Sequence, residues 1–444
     1  MKKSDILIVG GSAAGIVAGM TARQYHKDAK ITLVRKEKQV CVPCAIPYIF
    51  GTLGSTDKDI IPDAILSKNG IELVMDEAQS IDRDKKTATT SGGETIDFDK
   101  LVLATGASPI VPPILGINLD NVFVVNKDVN YLNGLLKTLN KAKDVVVIGG
   151  GFIGVEFADE FKKRGLNVAI VELLPHCLQL VFDEEFCVRA EKRLSEIGVN
   201  VMTNSRADRI VGDKKAEAVE LSSGEKLECD MVLLGIGVTP NTKLAKEAGL
   251  KMGEKRGIWV DPYMRTSDEN IFAAGDCAEK TSFFTKKPSG LRLASIATWE
   301  ARIAGANLFK LRKKQEGVIG VWSTIVRDLA MGGAGMTEKI AKDAEFDLFI
   351  GRATTVDKHP GGMPGAAEMN VKLIFEKKTE RILGGEISGG STTAEATNIL
   401  AAFVKAKSKV DEIVTFQMGT HPALTASPIV YPIVRAAEDA MAKL

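Results

Sequence analysis

Val145-Val146-Val147-Ile148-Gly149-Gly150-Gly151-Phe152-Ile153-Gly154 is the stretch that decides the fold. Four consecutive apolar residues read as a short strand buried on both faces, as in a parallel sheet. The glycines end it in a turn that opens a helix, which the pattern carries to about Arg164. Gly149, Gly151 and Gly154 match the GxGxxG spacing, in which the glycines permit a tight turn, close approach of the backbone to a pyrophosphate and close helix–strand packing. Asn167-Val168-Ala169-Ile170-Val171-Glu172 then reads as the next parallel strand. Its terminal carboxylate stands where it would accept from a ribose 2′-hydroxyl and repel a 2′-phosphate. The same order occurs earlier: Ile6-Leu7-Ile8-Val9, the turn Gly10-Gly11-Ser12-Ala13-Ala14-Gly15, a helix to about Tyr25 and the strand Ile31-Thr32-Leu33-Val34. Two such βαβ units imply two dinucleotide sites in one chain.

Composition narrows the class. At 444 residues the chain exceeds a single core, so two to four domains are expected. With 58 Lys+Arg against 57 Asp+Glu, charge gives no case for nucleic acid or an acidic membrane surface as partner. Forty-two glycines and 6% aromatics suit a glycine-turned α/β enzyme better than an all-β protein. No apolar run approaches the roughly 18 residues a membrane span needs, and the apolar start closes at Gly10 like a strand, not a signal peptide. Cysteines at 41, 44, 177, 187, 229 and 277 form too sparse and irregular a set for a secreted disulfide framework, so a cytoplasmic location is expected.

Other punctuation follows the same logic. Leu101-Val102-Leu103-Ala104-Thr105-Gly106 ends a strand in a turn, and Pro109, Pro112 and Pro113 mark a linker. Leu233 to Asn241 closes the second unit similarly, and Ile271-Phe272-Ala273-Ala274-Gly275-Asp276 is a further strand leading to a glycine-aspartate turn. After Trp322 the texture changes: Val371–Phe375 and Arg381–Ile387 read as a hairpin, with helical patterns near Ala394–Val404 and Pro432–Ala442.

The segment Cys41-Val42-Pro43-Cys44-Ala45-Ile46-Pro47-Tyr48 resembles the Asn-Cys-Gly-Leu-Pro-Tyr signature of the single-cysteine flavin disulfide reductases. That family includes coenzyme A-disulfide reductase, NADH oxidase and peroxidase, and NADH-dependent persulfide and polysulfide reductases. The Ala-Thr-Gly turn, the second glycine turn, Gly275-Asp276, Gly-Met-Thr-Glu at 335–338 and the segment from Ile382 to Gly390 arrive in the family's order. The resemblance implies two Rossmann-like domains plus a C-terminal α+β dimerisation domain. FAD would occupy a discontinuous domain of residues 1–115 and 244–322, NADH residues 116–243, and residues 323–444 would make a homodimer.

Site residues follow from the residues and the resemblance together. Gly10, Ser12, Ala13 and Gly15 form the first cradle, with the phosphate on the helix N-terminus and Ser12 where the second glycine would stand. Val34 replaces the family's ribose-binding glutamate, and Arg35 is expected to stack on adenine or meet a phosphate. By resemblance, Thr105, Gly106 and Gly275 belong to the flavin site, Asp276 bonds the ribityl chain, and Ala294, Ala297 and Thr298 pass near the flavin ring. The second cradle is Gly149, Gly151, Phe152, Ile153 and Gly154, with Gly237 closing it and Glu172 favouring NADH over NADPH. Glu156 is either the family's carboxylate near the nicotinamide or an ordinary first-turn helix carboxylate.

Cys44 is the expected nucleophile and relay, a thiolate favoured by a helix start after Pro43. Cys41 either pairs with it as a CxxC dithiol or is structural; the other four cysteines show no metal-ligand pattern, and no metal is expected. His421, in His421-Pro422-Ala423-Leu424-Thr425-Ala426, resembles the tail histidine that reaches the other subunit's active site and protonates a leaving thiolate, but Ala426 replaces its partner glutamate, and the alternative is a loop histidine before a proline. Arg23 and Lys27 are candidates for the phosphates of coenzyme A, as ligand or substrate moiety, and Tyr48 for substrate contact. The expected activity is NADH-dependent reduction of a small disulfide, persulfide or polysulfide through FAD and Cys44. Alternatives are an NADH oxidase or peroxidase cycling through sulfenic acid, and a flavoprotein that signals with Cys44 structural.

Overall fold

The computed structural model describes residues 2–444, in two compact units. One contains the chain up to Pro112, Val124–Lys141 and Gly237–Val318; the other contains Pro113–Phe123, Ala142–Ile236 and Ile319–Leu444. Each is built on a glycine-turned βαβ unit.

In the first, the strand Lys2–Val9 runs parallel between Ile31–Arg35 and Thr95–Leu103, with Ile71–Met75 beyond the former and Ile271–Ala273 beyond the latter. Ile6, Leu7 and Ile8 are fully buried, which is why their run carries no alternation. The helix Ala13–Tyr25 leaves the sheet at the carboxyl end of Lys2–Val9, the edge where such sheets hold ligands. A second helix, Ala294–Asn307, packs along it. Gly305 allows the approach, since a Cβ there would lie 2.7 Å from the Ala18 carbonyl oxygen.

In the second unit, Asp144–Ile148 runs parallel between Asn167–Val171 and Met231–Leu234, with Val199–Met202 outermost. The helix Phe152–Lys163 follows the second glycine turn. The C-terminal part is a five-stranded antiparallel sheet in the order Val321–Val326, Leu329–Gly335, Ile382–Gly389, Glu368–Glu376 and Leu348–Val356. The hairpin expected around 371–387 is the pair Glu368–Glu376 and Ile382–Gly389, and the expected helices are Thr393–Ala406 and Pro432–Met441. Thr393–Ala406 rests directly on glycines of the sheet: a Cβ on Gly332 would fall 2.1 Å from Thr397 Oγ1. The architecture is α/β with two Rossmann-type halves and a C-terminal α+β segment. Among the described residues no helix is long and apolar enough to cross a membrane.

One element departs from ordinary amphipathic patterning. Glu156, Asp159, Glu160 and Lys163 share one face of the helix Phe152–Lys163, yet Asp159 and Glu160 are only 2% and 1% exposed. That face docks polar groups of the C-terminal sheet: Thr324 Oγ1 donates to Glu156 Oε1 at 2.9 Å, and Arg327 Nε lies 3.2 Å from Asp159 Oδ1.

Candidate functional site

The first glycine turn is built for close approach. Gly10 has φ +110°, and a Cβ there would fall 2.1 Å from the Ala104 oxygen; at Gly15 it would fall 1.8 Å from the Gly10 oxygen. Ser12 is the N-cap of the helix, half-buried, and its side chain makes no cap bond, leaving the first-turn amides directed at the cradle. Ala13 begins the helix beside it. Beneath the turn lies the stem of Arg35, whose Cδ is 2.4 Å from a Cβ built on Gly11. The Arg35 guanidinium is buried and bidentate to Asp63, at 2.6 and 2.7 Å, and also donates to the carbonyls of Glu37 and Lys38. Its donors are therefore held within the protein, and its stem supports Gly11.

Three further segments complete this cradle within the same unit. Thr105 Oγ1 donates to the Asn241 carbonyl at 2.6 Å, Asn241 Nδ2 returns a bond to the Thr105 carbonyl, and Gly106 takes positive φ. Gly275 has φ +82°, and a Cβ on it would come 2.9 Å from Ala14 Cβ, so the Gly275-Asp276 turn meets the start of the Ala13–Tyr25 helix. Ala294, Ala297 and Thr298 form the first turns of the helix Ala294–Asn307.

The second turn repeats the geometry. Gly149 has φ +110°, and a Cβ on Gly154 would fall 1.8 Å from the Gly149 oxygen. Gly151 is exposed with open space beside it, and Phe152 and Ile153 start the helix. Glu172 faces the turn, with Oε2 accepting from the Gly150 amide and Oε1 from the Leu174 amide at 2.7 Å. Glu156 is half-buried, and burial pushes its carboxyl up to about 7, with the Thr324 hydroxyl pulling it down and Glu160 pushing it up. Gly237, exposed at φ +104°, belongs to the other unit.

Around the cysteine motif, Pro43–Ala45 forms a 3-10 turn that leads into Ile46–Tyr48 and then Ile49–Leu53, so the helix expected after Pro43 starts as a tight turn. Cys44 in this turn is exposed, and Tyr48 is half-buried. Cys41 is 2% exposed and bridges to Ile60; burial, the Asp59 charge and the bond to Asp59 push its thiol up to about 12. Burial likewise raises Cys177, Cys187, Cys229 and Cys277. Among the described residues no two cysteines form a disulfide, and no group of His, Cys, Asp or Glu could hold a metal. Arg23 donates to the carbonyls of Lys27, Asn69 and Gly70, so its charge serves the end of the Ala64–Lys68 helix instead of an open patch, while Lys27 is exposed. His421 lies on an exposed loop, with Nδ1 accepting from the Ala423 amide at 3.2 Å, and His359 bonds to the loop's Pro422 and Thr425 carbonyls; Ala426 is buried.

Residues 4–301 match the family described as pyridine nucleotide-disulphide oxidoreductase, and residues 321–428 match its dimerisation domain. The chain belongs to the pyridine nucleotide-disulphide oxidoreductases. An NADH oxidase of Methanocaldococcus jannaschii is 35% identical, covering 99% of this chain and 99% of that protein. The NAD(P)H coenzyme A polysulfide/persulfide reductase of Pyrococcus horikoshii is 32% identical over 87% of this chain and 88% of its own. The solved structure of an NAD-dependent persulfide reductase from A. fulgidus has a TM-score of 0.92 at 33% identity, covering 99% of this chain and 83% of that one.

As a pyridine nucleotide-disulphide oxidoreductase, the chain is a flavoenzyme that works with FAD and NAD(P)H. The residues present fit both. Each glycine cradle excludes any larger residue at the positions where a Cβ would strike backbone, and each opens on a helix start. Sequence reasoning missed Asp63 under Arg35, Thr324 on Glu156, and a buried pair, Lys280 and Glu300, beside Gly275. Glu300 had a signal: its helix neighbours at three and four residues, Ile296, Ala297, Ile303 and Ala304, are all buried and apolar. Lys280 had none.

Proposed function

We propose that this flavoenzyme uses NADH to reduce a small sulfur compound, a persulfide, polysulfide or disulfide of coenzyme A size, through Cys44. The observation that carries the reading is exposure: Cys44 is the one exposed cysteine among the described residues, while the other five are buried with raised thiols. Only an accessible thiolate can attack a substrate sulfur. The net reaction is NADH + H⁺ + RSSR′ → NAD⁺ + RSH + R′SH. FAD, when bound, carries the two electrons between the nicotinamide and the sulfur. Cys44 attacks one sulfur of the substrate and holds it as a mixed disulfide while the other leaves as a thiol, and His421, reaching in from the other subunit of the homodimer, is the proposed donor to that leaving group. Cys41, held protonated beside Asp59, is a packing residue in this scheme.

The first cradle, in 1–115 and 244–322, takes FAD, with Asp276 on the ribityl chain. The second, in 116–243, takes NADH, with Glu172 discouraging a 2′-phosphate and Glu156 near the nicotinamide. Residues 323–444 form the homodimer. The relative named for coenzyme A polysulfide/persulfide reduction and the neighbour named as a persulfide reductase support the substrate class. The M. jannaschii relative supports a second reading, an NADH oxidase or peroxidase in which Cys44 cycles through sulfenic acid. Turnover of NADH with air, peroxide, coenzyme A disulfide and coenzyme A persulfide in parallel separates the two. A far higher kcat/KM with oxygen or peroxide overturns the sulfur reading.

A further inference from the structure

Lys280 and Glu300 are 3% and 2% exposed, in a unit whose other buried side chains are mostly apolar. A buried pair costs desolvation that its mutual attraction often fails to offset, so its retention calls for a reason beyond stability. The hydrogen bonds supply one. Lys280 Nζ lies 2.8 Å from Glu300 Oε2 and also donates to the carbonyls of Gly275, at 2.5 Å, and Ala278, at 3.0 Å. The same Glu300 oxygen accepts from the Gly275 amide at 2.9 Å. Both polar groups of Gly275 are thus gripped, one by each member of the pair.

Gly275 is a position where the backbone needs holding. Its φ of +82° places it in the left-handed region, it touches Ala14 at the start of the first cradle's helix, and Asp276 follows it. Glu300 projects from the Ala294–Asn307 helix, and Lys280 starts the short strand Lys280–Thr281. One ion pair therefore ties together the Gly275-Asp276 turn, the chain just after it and the helix that carries Ala294, Ala297 and Thr298.

We infer that Lys280 and Glu300 are positioning residues for FAD, fixing the Gly275-Asp276 turn against the glycine cradle before the cofactor arrives. The inference rests on the flavin reading of that cradle. It concerns preorganisation: a turn already held does not have to be ordered when the ligand binds.

The test uses the full-length apoprotein, stripped of flavin, with FAD and NADH as probes. Lys280→Met keeps the length and packing of the side chain but takes the ammonium donor from the Ala278 carbonyl and from the Gly275 carbonyl, which keeps only the Ala278 amide. Its FAD dissociation constant is expected to rise about tenfold or more, while its NADH dissociation constant stays within about twofold of wild type. Glu300→Gln retains an acceptor for the Gly275 amide and loses only the charge, so its FAD affinity falls less than that of Lys280→Met. A Lys280→Met protein that binds FAD within about twofold of wild type overturns the inference, whatever its melting temperature. If Lys280→Met gives no folded protein, Glu300→Leu, which takes the acceptor from the Gly275 amide and the partner from Lys280, is judged by the same twofold limit. Failure of the wild-type apoprotein itself to bind FAD would refute the flavin reading instead, and is seen in the same titration.

Discussion

Glu156→Gln is expected to stabilise the protein above neutral pH and to change little near pH 4.5. The Glu156 carboxyl is pushed up from 4.5 to about 7, chiefly by burial, on a helix face whose other acids are also buried. The native state therefore binds the proton more tightly than the unfolded chain does, and stability falls as pH rises between those values. At about 1.36 kcal/mol per pH unit between 4.5 and about 7, the ionised side chain costs about 3 kcal/mol above pH 7. Glutamine escapes that cost, because its amide oxygen can still accept from Thr324 and carries no charge to desolvate. For a unit of this size, 3 kcal/mol corresponds to roughly 6–12 °C in melting temperature. Thermal melts of both proteins from pH 4.5 to 8.5, followed by tryptophan fluorescence, should show curves that separate steadily through this window and run parallel above it. Parallel curves throughout would refute the raised carboxyl, and with it the account of Glu156 as a buried, Thr324-tuned acid.

Cys44→Ser should abolish turnover of sulfur substrates yet leave NADH reduction of the flavin intact, whereas Cys41→Ser should keep both; loss of turnover in Cys41→Ser would reinstate a CxxC dithiol. Gly154→Ala puts a methyl group 1.8 Å from the Gly149 oxygen, so NADH affinity should fall at least tenfold while flavin content stays near wild type; equal NADH affinity would show that the second cradle is not the nicotinamide cofactor's. Lys372 is 3% exposed and lies within 2.9 Å of Asp183, Glu185 and Glu338. Lys372→Met should cost about 3 kcal/mol in urea unfolding, because Asp183 then loses its ammonium partner while Glu185 and Glu338 keep Arg352 and Lys342, and a loss under about 1 kcal/mol would contradict that.

What was legible in the sequence was whatever short-range pattern controls. Gly10, Gly15, Gly149 and Gly154 could be read because a Cβ at each would collide with backbone within a few residues or across one strand end. The parallel strands could be read because Ile6–Ile8 and Val145–Val147 are buried on both faces and so lack alternation. Partners distant in the chain were not legible. Arg35 looked like an adenine platform or a phosphate ligand because its position follows the second strand, and nothing local announces that Asp63, twenty-eight residues on, takes its donors. Cys41, by spacing alone, was either half of a CxxC pair or a structural residue. Its bridge to Ile60 and its bond to Asp59 are long-range facts that remove it from solvent.

The charges that escaped sequence reading share a physical setting. Lys280–Glu300, Asp159 and Glu160 of the Phe152–Lys163 helix, and Lys372 are buried where segments far apart in sequence meet. Apolar side chains would fill the same spaces at lower desolvation cost. An apolar seam, however, tolerates small slides of one element on another, whereas a bond such as Gly275 N–H to Glu300 Oε2 is lost within a fraction of an ångström. Dinucleotide cradles require backbone amides placed to that tolerance. Replacing both Lys280 and Glu300 by apolar residues of similar volume should leave the melting temperature near wild type or above it, yet weaken FAD binding. A double variant that is stable and binds FAD as wild type does would show that packing alone sets the turn.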